Sequence, residues 1–211
     1  MKKKTFLRRQ ASKDLKLKSK EKDWLKRLEN VSGSPVNLSQ KQKQLYLLID
    51  CSSSMDYCYK MQQAKNGSLT FAEEALNKGY IVGLITFSCS ANLLLEPQCE
   101  ILQLHKRINN IYASGSTNLT DALDIASQQL SGTMGERILC VVTDGMPNNP
   151  TYALKMSKAM HIEGIDIMSI GTDDADQEFL KQLSTRTDLS IKVNSEQLEK
   201  GIVSMAKLLP S

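Results

Sequence analysis

The chain reads as an α/β protein: a doubly wound, mostly parallel six-stranded sheet with one antiparallel edge strand and helices on both faces. Three observations lead there. Short apolar runs alternate with stretches of helical periodicity from about residue 45 to residue 209, and such alternation implies parallel strands joined by crossover helices. Two of the runs, Leu45–Ile49 and Ile138–Val142, are apolar throughout, as strands covered on both faces are. Finally, the runs at 80–87 and 91–95 are separated only by Ser88-Cys89-Ser90. That gap is too short for a crossover, so the two form a hairpin and place one antiparallel strand on the sheet.

Residues 1–44 form a basic N-terminal extension, and residues 45–211 the domain. The extension carries 14 Lys+Arg against 4 Asp+Glu, a net +10, while the remainder carries 13 against 19, a net −6. A partly helical segment is expected from Ala11 to Asn30. Leu17, Trp24, Leu28 and Val31 make one apolar stripe, broken by Ser32-Gly33-Ser34-Pro35. Three readings of the extension stay open: a solvated tail, docking of the Trp24/Leu28 stripe on the domain or a partner, and nucleic-acid or membrane binding through its lysines. No aromatics interleave with the lysines to stack bases, which speaks against nucleic acid.

The domain opens with the strand ending at Asp50. A helix follows over Lys60–Asn77, closed by Gly79. The hairpin strands come next, then a helix over Glu100–Ile111. Leu119–Leu130 is a helix with Asn118 as N-cap and Asp121 three residues on, in a capping-box-like spacing. Ile138–Thr143 is the fourth strand. Thr151–Glu163 is a helix ended by Gly164, and Ile165–Ile170 is the fifth strand. A helix over Ala175–Leu183, a strand over Leu189–Val193 and a closing helix over Ser195–Leu209 complete the chain.

With 41% hydrophobic residues the composition is that of an ordinary globular protein. No run approaches the roughly 18 apolar residues of a membrane span, and no apolar stretch follows the basic N-terminus as in a signal peptide. The five cysteines are scattered, without a CxxC pair. That argues against a disulfide framework or zinc site and for a reducing, cytoplasmic setting. Cys51 has no base beside it in sequence and reads as a spacer.

Chemistry concentrates where strands end. Asp50-Cys51-Ser52-Ser53-Ser54 places oxygen donors at two-residue steps just past the first strand. Ligands of open α/β sheets bind at that carboxyl edge, and oxygen donors there suit a hard cation such as Mg²⁺. The same residues also fit a capped helix start. Gly115-Ser116-Thr117 offers a threonine before a helix, and Thr143-Asp144-Gly145 ends the fourth strand with a second carboxylate.

Taken together, Asp50, Ser52, Ser54, Thr117 and Asp144 resemble the metal ion-dependent adhesion site (MIDAS) of the von Willebrand factor A (VWA) domain, a Rossmann-like fold. The resemblance covers about residues 45–209. Ser116 stands where the family often has a second glycine. The resemblance implies the strand order 3-2-1-4-5-6, which sets the strands ending in Asp50 and Asp144 side by side. It also implies the metal site: hydroxyls of Ser52, Ser54 and Thr117 on Mg²⁺, or Mn²⁺, with Asp50 and Asp144 acting largely through waters, and a partner's acidic residue completing the octahedron. The implied function is metal-dependent protein–protein binding. Size and setting resemble stand-alone bacterial intracellular VWA proteins. The implied partner classes are an AAA+ ATPase of the MoxR or chelatase kind, or a kinase/phosphatase signalling module. In the absence of the ion the two aspartates are expected to repel, so replacing either should leave the ion-free fold little changed.

An enzyme is not expected. A DxDxT phosphatase needs aspartate where Ser52 stands, and GxxxxGK[ST], GxGxxG and GxSxG are absent. His105 and His161 fall in helical patterns away from the motif ends and read as helix-surface residues. Asp173, Asp174 and Asp176 fit a helix N-cap or a second cation site, the cap being the simpler. The alternatives to the binding module are a nucleic-acid or membrane adaptor working through residues 1–44 and a metal-assisted phosphohydrolase.

Overall fold

Strand β1, Lys43–Asp50, lies inside the sheet, between two neighbouring strands, and its run Leu45–Ile49 is apolar and buried throughout. The computed structural model describes residues 42–172 and 174–211. In it Leu45, Leu47 and Ile49 face one side of the sheet and Tyr46 and Leu48 the other, all with no exposed surface. Each such side chain contributes about 1.5–3 kcal/mol by leaving water.

The first face is covered by α1 (Lys60–Asn77), α2 (Ile101–Asn109) and α6 (Leu198–Ala206), through residues such as Phe71, Leu104 and Ile202. The second is covered by α3 (Leu119–Leu130), α4 (Pro150–Ile162) and α5 (Gln177–Leu183), through Leu123, Met160 and Phe179. The remaining strands are β2 (Tyr80–Phe87), β3 (Ala91–Gln98), β4 (Arg137–Thr143), β5 (Asp166–Thr172) and β6 (Ser190–Val193).

The six strands take the order β3-β2-β1-β4-β5-β6, antiparallel only between β2 and β3. The doubly wound sheet with one antiparallel edge strand is therefore present, in the expected order. The winding reverses between β1 and β4, which pair with Ile49 opposite Val142. In such sheets the carboxyl ends of the strands at the reversal are the usual ligand position.

Some boundaries differ from those the sequence predicts. β3 continues past Leu95 through Pro97 to Gln98. Proline is tolerated there because β3 is an edge strand and one side of its backbone needs no partner. Its ladder with β2 is irregular around Gly83, where a side chain would collide with the Tyr46 ring. The last helix starts only at Leu198, after a 3₁₀ turn over Ser195–Gln197. Residues Ser53–Tyr59, for which the sequence predicts no element, form an irregular 3₁₀ segment.

Two caps behave as expected. Asn118 Oδ1 accepts from Asp121 N at 3.3 Å. Asp176 Oδ1 accepts from Phe179 N at 2.7 Å, which gives that aspartate a capping role. Asp173 lies outside the described residues, as do residues 1–41 with the Trp24/Leu28 stripe. Among the described residues no helix is long and apolar enough to cross a membrane. All five cysteines are free thiols.

Candidate functional site

Asp50 closes β1 and is fully buried. Both of its oxygens are held: Oδ1 accepts from Ser52 N at 2.8 Å, and Oδ2 from Thr143 Oγ1 at 2.6 Å. The Ser52 bond curls the chain back over the strand end, which is why a serine two residues after the carboxylate returns to the same place. Burial pushes the Asp50 carboxyl up to about 6, although the bonds from Thr143 and Ser52 pull the other way. In the sequence Thr143 marks only the end of a strand. In the structure it links β4 to Asp50.

The hydroxyls form a relay. Ser52 Oγ lies 3.0 Å from Ser54 Oγ, and Ser54 Oγ donates to Asp144 Oδ1 at 2.7 Å. Asp144 is also buried, and its Oδ2 accepts from Lys60 Nζ at 2.5 Å. The structure thus brings together Asp50, Ser52, Ser54 and Asp144. It adds Lys60, the first residue of α1, which in the sequence is no more than a helix start. The expectation that replacing either aspartate leaves the ion-free fold little changed is opposed at Asp144 by its contact with a buried ammonium.

Thr117 reaches this edge through its backbone. Its carbonyl accepts from Asn148 N at 2.9 Å, tying its loop to the segment after Asp144. The same loop is stitched to the first motif: the Gly115 carbonyl accepts from Ser53 N at 3.0 Å, and the Cys51 carbonyl from Ser114 N at 2.6 Å. Gly115 has φ +81°, and a side chain there would sit 2.6 Å from Cys89 Sγ, so glycine is required at this crossing of loops. Its neighbour Ser116 hydrogen-bonds the Cys89 sulfur, which lowers the thiol pKa.

The donor chemistry fits a hard cation. All five residues supply oxygen, three from hydroxyls and two from carboxylates. An octahedral Mg²⁺ at about 2.0–2.1 Å from its ligands sets neighbouring oxygens about 3 Å apart. The Ser52–Ser54 and Ser54–Asp144 separations already have that spacing.

Nucleophile and base chemistry find little support. Burial pushes the Cys51 thiol up to about 12, and Asp50 beside it adds to the effect. His105 sits on the surface, 3.3 Å from Glu73. His161 is half-buried in the last turn of α4, at the other end of that helix from the site. Around the edge stand Tyr57, Tyr59 and Tyr112, each more than two-thirds exposed. Isolated tyrosines in turns carry no periodic signal, so nothing in the sequence singles them out.

Comparison with known proteins agrees with this architecture. The family model for the von Willebrand factor type A domain matches residues 44–203. No curated protein matches the chain. Among solved structures, the chain is similar to the vWF domain of the type V pili tip protein Mfa5 from Porphyromonas gingivalis. That match has a TM-score of 0.72 and 12% identity and covers 80% of this chain and 95% of that one. The pilus adhesin SpaC from Lactobacillus rhamnosus GG has a TM-score of 0.70 at 15% identity, covering 80% of this chain but only 30% of its own length. The hypothetical protein BatB from Bacteroides thetaiotaomicron has a TM-score of 0.63 at 16% identity, covering 78% of this chain and 99% of that one.

Proposed function

The chain belongs to the von Willebrand factor type A domain family, and we propose that its carboxyl sheet edge is a metal-dependent protein-binding site. The observation that carries this reading is the oxygen relay Ser52–Ser54–Asp144 beside Asp50, at the point where the winding reverses. Ser52, Ser54 and Thr117 would hold a divalent cation through their hydroxyls, with Asp50 and Asp144 offsetting its charge. When bound, Mg²⁺ or Mn²⁺ supplies a coordination position for an anionic oxygen. The chain's own residues do the rest: the Thr143 bond and the Ser52 turn orient Asp50, and the stitched loops hold the hydroxyls on one side. The recognised group is then a carboxylate on a protein partner, with Tyr57, Tyr59 and Tyr112 as surface around it. An AAA+ ATPase or a kinase/phosphatase module are the partner classes under this reading.

The test is a melting experiment joined to partner capture. Mg²⁺ should raise the wild-type midpoint by mass action, about 2.7 kcal/mol of added stability at a hundredfold excess over Kd. Ser54→Ala should fold but gain nothing from Mg²⁺. Partner capture should be lost in EDTA and in Ser54→Ala. A wild type whose melting ignores both Mg²⁺ and Mn²⁺ would sink the reading. Turnover of a phosphate ester by wild type and not by Ser54→Ala would make the site catalytic. The net +10 of residues 1–44 favours one second reading, an adaptor for nucleic acid or membrane. Such a complex would weaken steeply with salt and ignore EDTA.

A further inference from the structure

Lys60 occupies a position that needs explaining. It is the first residue of α1, where the helix macrodipole disfavours a cation. Its side chain is only 7% exposed, and burying an ammonium is costly unless it is well paired. The two residues before it, Cys58 and Tyr59, take left-handed backbone at φ 52° and 57°, which non-glycine residues seldom adopt. Three unfavourable features thus surround an ammonium that donates to Asp144 Oδ2, while Asp144 Oδ1 faces the hydroxyl relay.

We propose that Lys60 is a tethered cation that competes with the divalent ion for Asp144, so that the ion binds by drawing this carboxylate away from its lysine. This rests on the metal-site reading above and adds what sets the affinity of that site. A positive charge already seated on one ligand opposes a second cation at the same carboxylate. The site therefore holds a divalent ion weakly by itself. A partner's carboxylate, which tips the local charge back, strengthens ion binding, and the ion strengthens partner binding by the same factor.

The experiment titrates Mn²⁺ into the full chain and reads affinity by calorimetry, for wild type, Lys60→Gln, Lys60→Arg and Ser54→Ala. Glutamine keeps a hydrogen bond to Asp144 without the charge; arginine keeps the charge. Lys60→Gln should bind Mn²⁺ at least tenfold more tightly than wild type, and Lys60→Arg within about threefold of it. A second measurement, on wild type alone, guards against a variant that does not fold: with ¹³C-labelled lysine, the Lys60 side-chain resonance should move as Mg²⁺ is added. Mn²⁺ binding to wild type that is lost in Ser54→Ala, with Lys60→Gln no tighter or the Lys60 resonance unmoved, overturns this proposal and leaves the metal site standing. Mn²⁺ that binds no form of the protein overturns both.

Discussion

Asp50 and Asp144 stand at the ends of neighbouring strands and are equally hidden, yet their charges are met differently. Asp50 is surrounded by neutral donors, a backbone amide and a threonine hydroxyl. Asp144 has one hydroxyl and a full ammonium. The difference teaches that two neighbouring buried carboxylates need not be satisfied by the same chemistry. One accepts from a lysine ammonium, while burial weighs on the other and pushes its carboxyl up.

The largest expected effect breaks the charged side of this comparison. Asp144→Ala takes away a carboxylate that accepts from the buried Lys60 ammonium, and removing one partner of a buried pair costs up to about 3–5 kcal/mol. Urea unfolding in EDTA should show that loss. The double variant Lys60→Met/Asp144→Ala should recover most of it, because it removes both charges of the pair.

The next effect breaks the neutral side and has the opposite sign. The Asp50 carboxyl is raised from 3.8 to about 6 in the folded protein, so the folded state binds protons more readily than the unfolded chain. Stability of the ion-free protein should therefore fall as pH rises from about 4 to about 6, then level off. Asp50→Asn should remove that slope. Above pH 6 it should be more stable than wild type by about 2–3 kcal/mol, since each tenfold change in proton affinity is worth about 1.4 kcal/mol. The gain should vanish near pH 4. Unfolding in EDTA as a function of pH checks this. A flat wild-type profile would mean that Asp50 stays charged at little cost.

The smallest effect sharpens the comparison instead of breaking it. Thr117 is half-buried, and its carbonyl accepts from Asn148 N. Thr117→Ala should change ion-free stability by less than about 0.5 kcal/mol while reducing the Mg²⁺-induced rise in melting temperature. A large loss of stability in EDTA would assign the threonine a structural role.

These contrasts also show what can be read from the residues. The strands ending in Asp50 and Asp144 are legible because uninterrupted apolar runs have few alternatives, and α1, β2 and α3 match their expected bounds. The gathering of Asp50, Ser52 and Ser54 is legible through a motif with a fixed two-residue step, and the approach of Asp144 only through the strand order that the family resemblance implies. Lys60 is not, since its role depends on two left-handed residues that neither glycine nor asparagine announces. Thr143 is hidden for a different reason. Inside an apolar strand a threonine reads as β-branched filling, and its partner lies 93 residues away. The far end of β3 escapes notice because proline argues against strand until the strand is known to be at an edge.

Strand β1 has one more consequence. Its backbone is bonded to β2 on one side and β4 on the other, and residues 45–50 are sealed from solvent. Its amides should exchange with deuterium only through global unfolding, whereas those of the exposed turn at 56–59 exchange through small local openings. Asp50 is thus expected among the slowest-exchanging of the described residues, within a few residues of a fast-exchanging turn. Under the proposed binding function, a partner would meet an exposed rim over a sealed floor, and rearrangement of the edge loops would not need to loosen the core beneath them.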